Sequence, residues 1–214
     1  MASDRHEAGT AGEAPDVIRW RLHATPCGVL RLGAFGGRLC LCDWADVPAR
    51  DFVVRRLERG LHVRFAEWPN ERLRPGTGLP GIPAEPESNF PDNPDDADRC
   101  VLDRAVRQLD EYFAAQRRVF DVPLLTVGTP FQRAVWELLT EIPFGGTRSY
   151  AWLAAQLGHP RAVRAVAAAN RANALSIFIP CHRVVGSDGS LTGYAGGLAA
   201  KRLLLELEQA TLLR

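Results

Sequence analysis

The sequence predicts an α/β (α+β) fold in two parts: an N-terminal domain with a small β-sheet and a helix, then a mostly helical C-terminal domain with a helix-turn-helix. Three observations predict it. Short apolar runs punctuated by Pro and Gly turns fill residues 17–44, as strands do. Residues 68–94 hold seven of the 15 prolines, which marks a long irregular connection rather than a continuing core. From Thr129 onward the chain reads as helices joined by tight Gly-containing turns. The boundaries that follow are a disordered tail over 1–16, an N-terminal α/β domain over 17–123 with its irregular connection at 68–97, and a C-terminal domain over 124–214.

The elements follow in order. Residues 17–22 and 29–32 read as strands around the turn Thr25-Pro26-Cys27-Gly28, and 38–44 as a third strand after Gly36-Gly37. A weak helix is expected over 49–60. Residues 98–118 form a stronger one, because Val101, Leu102, Ala105, Val106, Leu109, Tyr112 and Phe113 make one apolar stripe; packing accounts for that stripe. Thr129 caps a helix with Pro130 at its first position, running to about Glu141. Ser149 caps a short helix over 150–157 that Gly158 ends. After His159-Pro160 a further helix spans 161–172, which completes the outline of a helix-turn-helix.

Composition narrows the function. A formal net charge of +1 gives no global attraction to nucleic acid or membrane. Its distribution is uneven: residues 142–187 contain no Asp or Glu but hold Arg148, Arg161, Arg164, Arg171 and Arg183, a pattern suited to a polyanion. Residues 1–16 lack the apolar stretch of a signal peptide, no run is long enough to cross a membrane, and the 5 cysteines form an irregular, odd set. A cytoplasmic location with free thiols is expected. Cys40 and Cys42, with Cys27 and His23, match no usual zinc spacing; strand alternation puts Cys40 and Cys42 on one buried face, and no metal is expected.

One cysteine stands out. Ile177-Phe178-Ile179 reads as a buried strand stopped by Pro180, and the next residues are Cys181, His182 and Arg183. A thiol beside an imidazole and a guanidinium has the surroundings that favour a reactive thiolate. Upstream, the helix over 161–172 turns Val163, Val166 and Ala167 to the core and presents Arg161, Arg164, Ala165, Ala168 and Arg171 together. A major-groove reader would offer side chains such as Asn or Gln to base edges; this face offers alanines, arginine and little else. Small residues around an arginine suit close, sequence-indifferent approach to DNA, with a long side chain able to wedge into a base stack.

The stretch Arg164-Ala-Val-Ala-Ala-Ala-Asn-Arg-Ala-Asn173, followed by Ile-Pro-Cys181-His-Arg-Val, resembles the signature of the O6-alkylguanine-DNA alkyltransferases. Ser149-Tyr150, Thr192-Gly-Tyr-Ala-Gly-Gly197 and the closing helix over 201–208 extend the likeness densely across 129–208. The N-terminal half resembles the family's variable domain loosely, through Thr25–Gly28 and Gln108-Leu-Asp-Glu-Tyr-Phe113. The resemblance implies direct reversal of DNA alkylation damage. The protein would bind double-stranded DNA containing O6-alkylguanine, flip the base and move its alkyl group to its own cysteine, with O4-alkylthymine a second candidate. It implies no cofactor, no membrane and a monomer, with 124–214 as the DNA-binding and active-site domain.

The roles implied by the resemblance are these. Cys181 is the acceptor, His182 its activator through a water, and Glu208 orients the imidazole. Tyr150 donates to the departing guanine. Arg164 fills the stack left by the flipped base, with Arg161, Ala165, Ala168 and Arg171 on the same DNA surface. Asn173 is a hinge; Tyr194 and Gly196 wall the pocket, and backbone groups near Val184 and Ala195 read the guanine edge. Ala167, Ala174, Ser176 and Ala195 depart from common members and bear on pocket width. Phe35 and Cys40 fall where some relatives carry zinc ligands, and with no zinc-bearing regulatory domain no transcriptional role is expected. Two other classes remain: a non-catalytic lesion-binding protein, against which the cysteine counts, and a Cys-His hydrolase, for which no oxyanion hole is visible.

Overall fold

The structure is a computed structural model and describes residues 17–67 and 94–213. The expected tail over 1–16 and residues 68–93 of the proline-rich connection lie outside the described residues.

Strands β1 (Val17–Thr25), β2 (Gly28–Phe35) and β3 (Arg38–Trp44) form an antiparallel meander, longer at several ends than the apolar runs alone suggest. Gly36 and Gly37 both take left-handed backbone, φ 57° and 70°, as a two-residue hairpin between right-twisted strands requires. A 3-10 turn (Pro48–Arg50) leads into helix α1 (Asp51–Leu61), which crosses back to β4 (Arg64–Glu67). That strand pairs parallel to β1 and completes a four-stranded sheet in the order β3-β2-β1-β4. β4 was not expected, because its four residues are exposed or only half-buried and carry no apolar alternation.

The strand alternation expected for Cys40 and Cys42 does not hold. A bulge between Gly33 and Ala34 shifts the β2–β3 register, pairing Leu32 with Cys42 but Ala34 with Leu39. The extra residue reverses the side-chain parity, so Cys40 packs with Ile18, Val53 and Leu57 under α1. Cys42 joins Leu30, Leu32 and Leu39 on the other face. Both thiols are buried.

Helix α2 (Pro94–Phe113) covers that second face with Val101, Leu102, Ala105 and Leu109. It stops short of the expected 118, because Ala115 turns left-handed at φ 59° and the Gln116 amide returns to the Glu111 carbonyl. No Gly or Asn announces this ending. Helix α3 (Pro130–Thr140) begins as predicted: Thr129 accepts from the Gln132 amide and Gln132 answers to the Thr129 amide, a full capping box. Helix α4 (Tyr150–Gln156) is capped by Ser149, α5 (Val163–Arg171) follows after a turn, and α6 (Gly197–Leu212) closes the chain. Arg161 lies in the turn rather than in α5: the Ala162 amide closes back on the His159 carbonyl, so the helix starts at Val163. One continuous apolar core runs from β2 and β3 through α2 into α3, α4, α5 and α6.

Candidate active site

The segment after α5 is a set of tight turns fastened at both ends. The Asn173 carboxamide accepts from the Leu175 amide at 3.0 Å and donates to the Ile179 carbonyl at 2.9 Å. From the sheet side, the Cys42 amide donates to the Ala174 carbonyl and the Ser176 amide to the Cys42 carbonyl, at 2.7 and 2.8 Å. Residues 177–179 are buried but are not the expected strand. Ile177 sits at φ 74°, a conformation that a β-branched residue rarely takes, and the Ile179 amide turns back to the Leu175 carbonyl. The turn delivers Pro180 to a single 3-10 turn, Cys181–Arg183, followed by β6 (Val184–Val185). With about three residues per turn, neighbours need not point to opposite sides as in a strand, and all three side chains are buried.

Glu208, on α6, faces this turn and is fully buried, whereas Glu206 is exposed. Its Oε1 lies 2.9 Å from His182 Nε2, and accepts from Tyr112 Oη and Arg183 Nη2 at 2.9 Å each. Its Oε2 accepts from the Gly145 amide at 2.8 Å and Arg183 Nε at 3.0 Å. Burial alone would raise the carboxyl, but donation from His182 and Arg183 outweighs it and brings the pKa down to about 2. The carboxylate can only accept, so Nε2 carries the imidazole proton. Nδ1 then holds the lone pair, and it is buried with no protein partner. Burial lowers the His182 pKa against the pull of Glu208, leaving a neutral ring able to take a proton.

Burial also raises the Cys181 thiol, opposed by a hydrogen bond from Asn173 and by the positive Arg50. Arg50 reaches here from the N-terminal half. It pairs with Asp43 at 2.8 Å, donates to the Asn173 carbonyl at 2.6 Å and also to the Arg171 carbonyl. Tyr150 is placed by β5 (Arg148–Ser149), which pairs with β6. Burial raises its phenol, keeping it a proton donor, while hydrogen bonds with Thr192 and Asn170 pull the other way. Tyr194 stands edge-on to His182 with ring centroids 6.4 Å apart, and its hydroxyl is buried without a protein partner. Ala195 and Gly196 are half-buried beside it. The Val184 carbonyl accepts from the buried ammonium of Lys201 at 2.5 Å, and Thr192 from the same ammonium at 2.9 Å.

On α5, Val166, Ala169 and Asn170 are buried, while Arg164, Ala165, Ala168 and Arg171 form the exposed face, with Arg161 exposed just before it. Arg148 is exposed as well. Arg183 is not part of this basic surface: it is buried and bound to Glu208 and the Ile142 carbonyl. Sequence reasoning also missed Tyr112, treated as packing, and Arg50. The stripe position of Tyr112 conceals a hydroxyl aimed out of it; nothing in the local sequence singles out Arg50. Among the described residues, no group of three or more His, Cys, Asp or Glu could hold a metal ion.

Known proteins resemble this chain in both sequence and fold. Residues 130–210 match the family model described as 6-O-methylguanine DNA methyltransferase, DNA binding domain. The chain is 54% identical over 108 residues to a methylated-DNA–protein-cysteine methyltransferase of Methanosarcina barkeri, covering 50% of this chain and 68% of that one. It is 53% identical over 109 residues to the constitutive Bacillus subtilis protein of that name, across 50% and 66% of the two chains. The fold resembles that of Mycobacterium tuberculosis OGT, solved in complex with DNA, with a TM-score of 0.65 and 34% identity over 90% of this chain and 94% of that one. The chain belongs to the methylated-DNA–protein-cysteine methyltransferase family.

Proposed function

We propose that this chain repairs O6-alkylguanine in double-stranded DNA, as a monomer, by moving the alkyl group to Cys181 once per molecule. The observation that carries this reading is the buried set Cys181, His182 and Glu208, joined to α5 where Asn170 on its buried side donates to the Cys181 carbonyl, while the other side of α5 exposes arginines and alanines. The small residues of that face let α5 lie close to the duplex, and Arg164 occupies the stack as the damaged base turns out. The guanine enters between Tyr150 and Tyr194, with Asn173 holding the hinge and backbone groups near Val184 and Ala195 meeting its edge. His182 Nδ1 takes the thiol proton, directly or through one water, while Glu208 stabilises the imidazolium. The thiolate attacks the alkyl carbon; an S–C bond forms as the C–O6 bond breaks. Tyr150 donates to the oxygen on which charge develops. A thioether offers water no good leaving group, so the cysteine is not regenerated, and no step calls for a cofactor.

The test is mass spectrometry after incubation with a duplex containing one O6-methylguanine. One methyl per chain, on Cys181, is expected. Methylation at Cys27 or Cys100, or repeated turnover, overturns the assignment. Binding of the lesion without transfer would mark a non-catalytic lesion-binding protein.

A further inference from the structure

Trp44 ends β3 in the N-terminal half, yet its indole lies behind the pocket wall. It is 6% exposed, and its ring meets Tyr194 edge-on with centroids 5.8 Å apart. Tyr194 in turn stands against His182. A methyl group built on Gly196 would overlap the fused edge of the indole. Gly196 has φ −84° and ψ 9°, which any residue adopts, so glycine is required there for space and not for conformation. On the opposite side, a methyl group on Gly28 would come within 3.4 Å of the same indole. The tryptophan is thus held between the β1–β2 turn and the 194–196 wall. Its backbone is also tied down: its amide donates to Asp43 Oδ1 at 3.0 Å, and the Ala45 amide donates to the Val29 carbonyl at 3.0 Å.

We propose that Trp44 is a specificity-positioning residue: by filling the space behind Gly196 it holds the Tyr194–Gly196 wall toward His182 and limits the size of alkyl group the pocket accepts. The inference rests on the reading of Cys181 as alkyl acceptor. A large side chain removed from a packed site leaves a cavity that its neighbours partly fill. Here the neighbour free to move is the wall itself, so the pocket widens in front as the cavity closes behind.

The experiment compares single-turnover transfer from duplexes carrying O6-methylguanine or O6-benzylguanine. Trp44→Ala should raise the benzyl-to-methyl rate ratio about tenfold, the scale on which pocket size discriminates apolar groups. Gly196→Ala should slow both reactions by pushing the wall inward, and Trp44→Ala added to it should restore transfer, because it removes the ring that the new methyl strikes. If Trp44→Ala does not fold, Trp44→Leu serves in both arms. A ratio within twofold of the parent, or a double variant no faster than Gly196→Ala, overturns the proposal. A parent that alkylates Cys181 with neither substrate overturns the reading beneath it instead.

Discussion

A carboxylate that accepts from His182, Tyr112, Arg183 and the Gly145 amide at once stays ionised far into the acid range. Two consequences follow for Glu208. Its folded pKa, about 2, lies below its ordinary value of 4.5. The stability it contributes is therefore complete above pH 4.5 and is lost as pH falls toward 2, on the order of 3 kcal/mol in all. In Glu208→Gln this part of the acid-unfolding curve should flatten, which urea titrations at stepped pH can follow. The amide also cannot stabilise an imidazolium as a carboxylate does. Alkyl transfer near neutral pH should fall roughly 100-fold and its rise should move to higher pH. Glu206→Gln, on the exposed side of the same helix, should match the parent in both measurements.

At the scale of elements, α4 and α5 are short helices with separate tasks. Ser149 caps α4 and the β5–β6 pairing holds its first residue, Tyr150, near the thiol. Helix α5 is anchored by Val166, Ala169 and Asn170, and the Trp136 indole donates to the Ala169 carbonyl at 2.9 Å. Its outer face is left free of large side chains except arginines. If Arg164 serves to fill a vacated stack, its loss matters only when there is a stack. Arg164→Ala should slow transfer from duplex DNA at least tenfold while leaving transfer from the free modified base within about twofold. Equal losses on both would mean that Arg164 supports the fold of the site.

Across the whole molecule, the two halves of the chain meet at the turns that lead to Cys181. β3 binds Ala174 and Ser176 through the Cys42 backbone, and the Asp43–Arg50 pair binds the carbonyls of Arg171 and Asn173. Both members of that pair are buried, Asp43 5% and Arg50 5% exposed. Removing one partner leaves a buried charge and unpaired carbonyls, so Arg50→Met should cost about 3–5 kcal/mol in urea unfolding. Asp43→Ala combined with Arg50→Met should cost less than the sum of the single changes, since neither charge is then stranded. Additive losses would show that the two side chains do not act as a unit.

The amino-acid order by itself determines the elements whose signals are local. Thr129-Pro130, Ser149 and Gly36-Gly37 set their caps and hairpin because hydrogen bonds within four residues decide them. The placing of Cys181 directly after Pro180 is equally local, because the order of the chain alone sets it. Tertiary structure decided the rest, through groups that meet from distant parts of the chain. The 177–179 run looks like a strand by composition, but Asn173 and β3 bend it into turns, and a main-chain hydrogen bond to a remote strand leaves no local signature. The bulge at Cys40 reversed a parity that alternation alone could not foresee. Arg183 looked like surface charge until a carboxylate 25 residues away drew it inside. Tyr112, 96 residues from Glu208, reads as one more apolar position on α2. Only the fold, by bringing Tyr112 Oη within 2.9 Å of Glu208, makes its hydroxyl a donor to that carboxylate, because a buried polar group is paired by whatever the fold brings within reach.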